Sequence, residues 1–148
     1  MQNSSRLAEH FLVEARTRLR GAKLKLTSQR LQLTALLVSM GDCHFAAEEL
    51  HAKAIETDIS ISLGTIYNSL HAFADAGMIR SVRRVDGRAV FDTNCHHHHH
   101  FLLPETGELF DIEAEGPHVQ TSAPEGYEIV EYKVVVQLRK KPNVDAVE

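Results

Sequence analysis

The periodicity of the apolar residues changes once in the first 92 residues, at Gly77, and that change restricts the fold more than any other feature of the chain. Ahead of it the repeat is helical; behind it the pattern alternates. In Ser60–Gly77, Ile66, Leu70 and Phe73 recur at the spacing of one helix face. Ser60 or Ser62 can cap the start of that helix and Gly77 its end. Thr65, Tyr67, Asn68 and Ser69 are expected on the other faces, as an uncharged hydrogen-bonding and aromatic surface suited to base edges.

Further helical segments precede it. Residues 6–20 place Leu7, Phe11, Ala15 and Leu19 four apart, with Arg16, Arg18 and Arg20 near the end and Gly21 expected to break the helix. Thr27 is the expected N-cap of a helix over about 28–40, rich in Leu31, Leu33, Leu36, Leu37 and Val38 and ended by Gly41-Asp42. A third helix is expected over about 46–56. After Gly77, Met78–Val85 and Arg88–Asp92 read as strands around Asp86-Gly87, a strong two-residue hairpin signal. Helices followed by a β-hairpin are the order of a winged helix-turn-helix. In that frame Ser60–Gly77 is the recognition helix, offering Ser62, Thr65, Tyr67 and Asn68 to DNA. Arg83, Arg84 and Arg88 of the wing reach the sugar–phosphate backbone. A structural α+β domain without nucleic acid is the alternative.

The net charge of −4 conceals an asymmetry that suits DNA: residues 1–92 carry +2 and residues 93–148 carry −6. Between Arg16 and Arg30 there are six basic residues, Lys25 and Arg30 among them, and no acid. That patch can meet phosphates while the acidic half stays away from them. No apolar run approaches membrane-spanning length and the N-terminus has no signal-peptide pattern, so a cytoplasmic protein with no membrane partner is expected. Two cysteines, Cys43 and Cys95, make no disulfide framework; each is a soft ligand, a redox-sensitive thiol or simply a small buried side chain.

The second half opens with Cys95 and five consecutive histidines, His96–His100. An expression tag is disfavoured, because the run continues directly into a patterned hairpin, Phe101–Leu103 and Glu108–Ile112 around Pro104–Gly107. A solvated linker and a metal or haem site both remain. In an extended segment His96, His98 and His100 would project one way and His97 and His99 the other, so two sites could share one strand. His44, Asp92, Asp111 and His118 are candidates for completing a shell. Residues 113–126 read as a loop with room for a short helix, and Tyr127–Arg139 as the clearest strand, with Val130, Tyr132, Val134, Val136 and Leu138 alternating. The expected class is therefore α+β: a winged-helix DNA-binding domain over residues 1–92 and, over residues 93–148, a His-rich hinge with a small dimerisation domain built on a three-stranded antiparallel sheet. A sheet this small completes its core across a dimer interface.

Taken together, Leu24–Arg30, His44–Leu50, Gly64–Tyr67, Phe73–Gly77, Phe91-Asp92 and the His run before a hairpin resemble the ferric uptake regulator (Fur) family over about residues 20–112, and more loosely to 139. Within it, His96–His100 followed by Phe-Leu-Leu-Pro-Glu-Thr-Gly is similar to the iron response regulator (Irr) branch of rhizobia and their relatives. The resemblance implies a homodimer with a metal-binding hinge. It implies that Tyr67 touches bases and Lys25 the minor groove or backbone. It further implies that His44, Asp92, His98, His100 and Asp111 ligate a divalent metal (Mn²⁺, Fe²⁺ or Zn²⁺) whose binding sets the angle between two DNA-reading heads. His97 and His99 fall on a second family site, for haem or metal, to which His98 and His118 are further candidates and at which Tyr132 stands where a histidine is expected. Leu103 and Thr106 replace the family's zinc cysteines, so that site is absent.

The function expected from the resemblance is a transcription regulator of iron and haem homeostasis. It would bind an A/T-rich inverted-repeat operator under low iron and respond to haem through the histidine run, with a haem-donating enzyme of haem synthesis as a further partner. Because the chain has no Cys-Pro dipeptide, haem would rest on the histidines. The alternatives are a divalent-metal-dependent repressor without haem sensing and a metal-based peroxide sensor. Neither a nucleophile–base arrangement nor a phosphate-cradling glycine loop is found, so an enzyme is not expected.

Overall fold

The computed structural model describes residues 2–83, 88–112 and 116–142. The chain forms two units, Met1–Cys95 and His96–Glu148. In the first, helix α1 (Gln2–Gly21) packs against α2 (Ser28–Met40), and a short strand, β1 (His44–Phe45), leads to α3 (Ala47–Glu56), which packs on α4 (Leu63–Asp75). Strands β2 (Arg80–Arg83) and β3 (Ala89–Asp92) follow and pair antiparallel, with Arg80 opposite Asp92 and Arg83 opposite Ala89. The expected Asp86-Gly87 turn, Val85 and Arg84 lie outside the described residues, as does the Arg83 side chain.

The helices end where local chemistry ends them. Thr27 caps α2 by accepting from the Arg30 N–H at 3.3 Å, and of the two serines considered for α4 it is Ser62 that caps, accepting from the Thr65 N–H at 3.2 Å. After α4, Gly77 sits at φ 72°, and the N–H groups of Gly77 and Met78 return to the carbonyls of Ala74 and Phe73. The same crossed pair of bonds closes α1 around Lys23 (φ 56°) and α3 around Asp58 (φ 56°). Gly21, expected to break α1, is instead its last residue. The left-handed step falls two residues later, because a cap of this type puts its left-handed residue just past the last helical ones.

The core of the first unit gathers the apolar stripes. Ile66, Leu70 and Phe73 are completely buried with Leu19, Leu33, Leu50 and Phe91, and the rings of Phe45 and Phe91 stack at 5.9 Å. Ser69, expected on the polar surface, is buried. It lies three residues from Ile66 and four from Phe73, and helical geometry carries it inward with them. Strand β1 has no signal in its own two residues; pairing with β3 makes it, setting Phe45 opposite Phe91 and His44 opposite Asp92.

In the second unit, β4 (His100–Leu103) and β5 (Glu108–Asp111) form the expected antiparallel hairpin. The third strand, β6 (Val135–Gln137), corrects two expectations. It is much shorter than Tyr127–Arg139, and it runs parallel to β4, with His100 opposite Val135 and Leu102 opposite Gln137. The sheet order is β5-β4-β6 and the sheet is mixed, because the long connection from β5 to β6 lets the chain cross over and return in the same direction. Its ladder runs from the Val134 carbonyl, which accepts from His100 N–H, to the Leu138 N–H, which donates to the Leu102 carbonyl; residues 127–133 take no strand form in the single chain. Consequently Tyr127, Ile129, Val130 and Tyr132 remain exposed, Val130 at 88%. Residues 116–124 contain no helix; the rest of the expected 113–126 loop includes residues 113–115, outside the described ones. Among the described residues no helix is long and apolar enough to cross a membrane.

Candidate functional site

Sheet register assembles the first set of donors. Pairing of β1 with β3 sets His44 against Asp92, with Nε2 to Oδ2 at 3.3 Å. Asp92 is 1% exposed, and its other oxygen accepts from the Asn94 N–H at 2.8 Å. Thr93 ties the neighbouring backbone: its hydroxyl oxygen accepts from Cys43 N–H at 2.9 Å and donates to the Gly41 carbonyl at 2.9 Å. The residue before His44 and the residue after Asp92 are thereby held together.

A second set forms in the other unit, again by register, since β4 places His100 opposite Asp111. Asp111 Oδ1 lies 3.3 Å from His98 Nε2 and 3.6 Å from His100 Nε2, and the two imidazole rings are 4.5 Å apart. His98 Nδ1 is 2.6 Å from the His96 carbonyl. With Nδ1 donating there, Nε2 is left to present its lone pair toward Asp111, the arrangement by which a backbone acceptor orients a ligand imidazole. The ligand atoms of His98, His100 and Asp111 lie within 4.8 Å of one another, as do those of His44 and Asp92. Imidazole nitrogens with carboxylate oxygens suit borderline and hard divalent ions; His98, His100 and Asp111 fit such an ion chemically, and His44 with Asp92 is a further pair of the same donor types.

The alternation expected of the histidine run is present. His97 and His99 form a group apart, their rings 5.1 Å from each other and 6.0 and 5.6 Å from Tyr132, with His99 nearly parallel to the phenol. His97 is half-exposed and faces Glu131 at 3.7 Å, whereas His99 is buried. Gly116 closes over His99: a Cβ there would fall 2.1 Å from the ring. Tyr132 thus packs its ring against both histidines. His118 does not; it is exposed and, among the described residues, belongs to neither set. His96 is exposed and contributes a carbonyl. Neither thiol is activated. Desolvation pushes both Cys43 and Cys95 above the usual thiol range, and Cys95 Sγ donates to the Met78 carbonyl at 2.9 Å.

On α4, Ser62 and Thr65 share a hydroxyl–hydroxyl contact of 2.9 Å, and Asn68 is exposed. The Tyr67 hydroxyl donates to Glu48 Oε1 on α3 at 2.7 Å. That bond lowers the Glu48 carboxyl and raises the Tyr67 phenol. The Tyr67 ring also lies nearly parallel to His71 at 6.4 Å, and His71 meets Phe91 edge-on. Lys25 is exposed, and Arg30 donates through Nη1 to the Lys25 carbonyl at 3.3 Å. Arg30 therefore has a positioning contact that the basic patch alone did not suggest. Glu48, Thr93 and Arg30's bond to Lys25 are what sequence reasoning missed; each joins residues on different elements or turns, with no periodic signal.

The model of the ferric uptake regulator family matches residues 21–137. The ferric uptake regulation protein of Pseudomonas aeruginosa is 31% identical over 127 residues, covering 83% of this chain and 95% of that protein. The peroxide-responsive repressor PerR of Staphylococcus aureus is 34% identical over 106 residues, covering 71% and 70%. Among solved structures, the ferric uptake regulator of Pseudomonas aeruginosa with manganese superposes with a TM-score of 0.68 at 26% identity, over 86% of this chain and 98% of that one.

Proposed function

The chain belongs to the ferric uptake regulator family, whose members are metal-dependent transcription regulators and not enzymes, and from that premise we propose an iron-responsive regulator that binds an A/T-rich inverted-repeat operator as a homodimer. The observation that carries this reading is the pair of donor sets, His44 with Asp92 in the first unit and His98, His100 and Asp111 in the second. In this reading the five residues hold one divalent ion, Mn²⁺, Fe²⁺ or Zn²⁺. Bound there, the ion supplies the positive charge that lets two carboxylates and three imidazoles share one centre. Asn94 and His96 fix the donor atoms through backbone bonds, and Thr93 keeps His44 beside Asp92. If one ion draws on donors of both units, as the resemblance implies, its occupancy couples to the DNA-reading unit, and DNA binding and ion binding strengthen each other reciprocally.

The DNA face is α4 with its flanks: Ser62, Thr65, Tyr67 and Asn68 toward bases, Lys25 and Arg30 toward phosphates, with Arg83 and Arg84 of the wing in the same role. The homodimer surface is the exposed apolar segment Tyr127–Tyr132, which a second copy would cover. A second reading, haem sensing of the iron response type, is favoured by His97 and His99: a half-exposed imidazole and a buried one on a tyrosine, directed apart from the ion set. His97 is the accessible ligand, and haem binding there would release the operator.

The test titrates the full-length protein with Mn²⁺ and, separately, haemin, following operator binding and the Soret band. Tightening by Mn²⁺ that Asp111→Ala abolishes supports the shared ion. A stoichiometric Soret shift with operator release, lost in His97→Ala/His99→Ala, supports haem sensing. Operator binding indifferent to both overturns the proposal, and histidine oxidation by peroxide with operator release would assign peroxide sensing instead.

A further inference from the structure

The contact between α3 and α4 carries a consequence for base preference. A phenol has one proton, and that of Tyr67 is committed at 2.7 Å to the Glu48 carboxylate, a charge-assisted bond between two exposed groups. What the Tyr67 oxygen still offers is lone pairs. Glu48 has its own reason to be where it is: it stands in the first turn of α3, where a negative charge is favoured. His71 lies along the Tyr67 ring from the next turn of α4, so the phenol is held by α3 at its tip and by α4 at its face.

We propose that Glu48 is a specificity-determining residue for operator DNA: by holding the Tyr67 proton it makes the tyrosine oxygen an acceptor, which pairs with an exocyclic amino group, adenine N6 or cytosine N4, in the major groove. Thymine O4 and guanine O6 and N7 are acceptors, and against them the held hydroxyl meets lone pair with lone pair. If Glu48 is removed, the phenol rotates freely and donates, and the penalty against thymine and guanine disappears. This rests on Tyr67 reading bases.

The experiment selects operators from a randomised duplex pool with the full-length wild type, Tyr67→Phe and Glu48→Ala. Tyr67→Phe identifies the position that Tyr67 reads, as the one whose preference flattens. There the wild type is expected to favour adenine or cytosine, and Glu48→Ala to shift the ratio toward thymine or guanine roughly tenfold, about the effect of one hydrogen bond gained or lost. Other positions stay unchanged. A Glu48→Ala protein that binds all sequences more weakly with the same preference overturns the inference and leaves Glu48 a structural partner. A wild type that favours thymine or guanine at that position overturns it as well. If Tyr67→Phe flattens no position, it is the base-reading role of Tyr67 that fails, and the inference falls with it.

Discussion

Replacing Gly77 by alanine isolates the backbone cost of the turn that joins α4 to β2. Gly77 sits at φ 72°, and an added Cβ would meet no heavy atom within 4 Å, so packing contributes nothing to the change. A left-handed conformation costs a residue with a Cβ about 1–2 kcal/mol. The narrower unfolded ensemble of alanine returns about 0.4–1 kcal/mol. The difference is a destabilisation of about 0.5–1 kcal/mol. Lys23 supplies the converse, because it occupies the same place in an identical cap at φ 56° and bears the penalty already. Lys23→Gly should therefore stabilise by a similar amount, and Asp58→Gly by less, since aspartate tolerates this conformation better. Urea unfolding monitored by circular dichroism measures all three, and about 1 kcal/mol corresponds to roughly 2–4 °C in melting temperature for a chain of this size. A neutral Gly77→Ala together with a destabilising Lys23→Gly would refute the reasoning, since both follow from one backbone angle.

Three other outcomes are expected. Asp111→Asn keeps the shape of β5 but removes the charge opposed to His98 and His100, so affinity for Mn²⁺ in competition with a chelating dye should fall more than tenfold with the circular dichroism unchanged; undiminished affinity would remove Asp111 from the ion set. Ala46→Ser should stabilise α3 by about 1 kcal/mol, because Glu49 already accepts from the Ala46 N–H at 2.7 Å and a serine hydroxyl would complete the reciprocal cap; no gain in the urea midpoint would show the helix start to be set otherwise. The Tyr67 phenol, raised by its bond to Glu48, should ionise at higher pH than free tyrosine. The stability it lends is present below the unfolded pKa and lost as pH rises through the folded one. Difference absorbance between wild type and Tyr67→Phe measures this, and a titration unmoved by Glu48→Ala would count against the bond.

Legibility followed the range over which each feature is decided. Ile66, Leu70 and Phe73 were readable because helical period is a property of neighbouring residues, and the core only had to accept the stripe they make. Ser69 was misread on the same helix because its polarity suggested the surface, while its spacing from Ile66 and Phe73 carries it inside. The histidine run was readable in its alternation, since successive side chains of an extended chain diverge whatever surrounds them. The direction of β6 was not. Alternation reports which residues share a face, but it is silent on which edge the strand joins and which way it runs.

By itself, then, the sequence determined the helices, the caps at Thr27 and Gly77, the hairpins, the separation of the histidines into two groups and, through its motifs, the family. These depend on backbone preference and on periods of two or three and a half residues, both local. The tertiary structure alone decided that His44 faces Asp92 across β1 and β3, that β4 and β5 set Asp111 between His98 and His100, and that Glu48 holds the proton of Tyr67. Each of these joins residues far apart in the chain, and the partner is chosen by strand register or helix packing, where a shift of one residue would present different atoms.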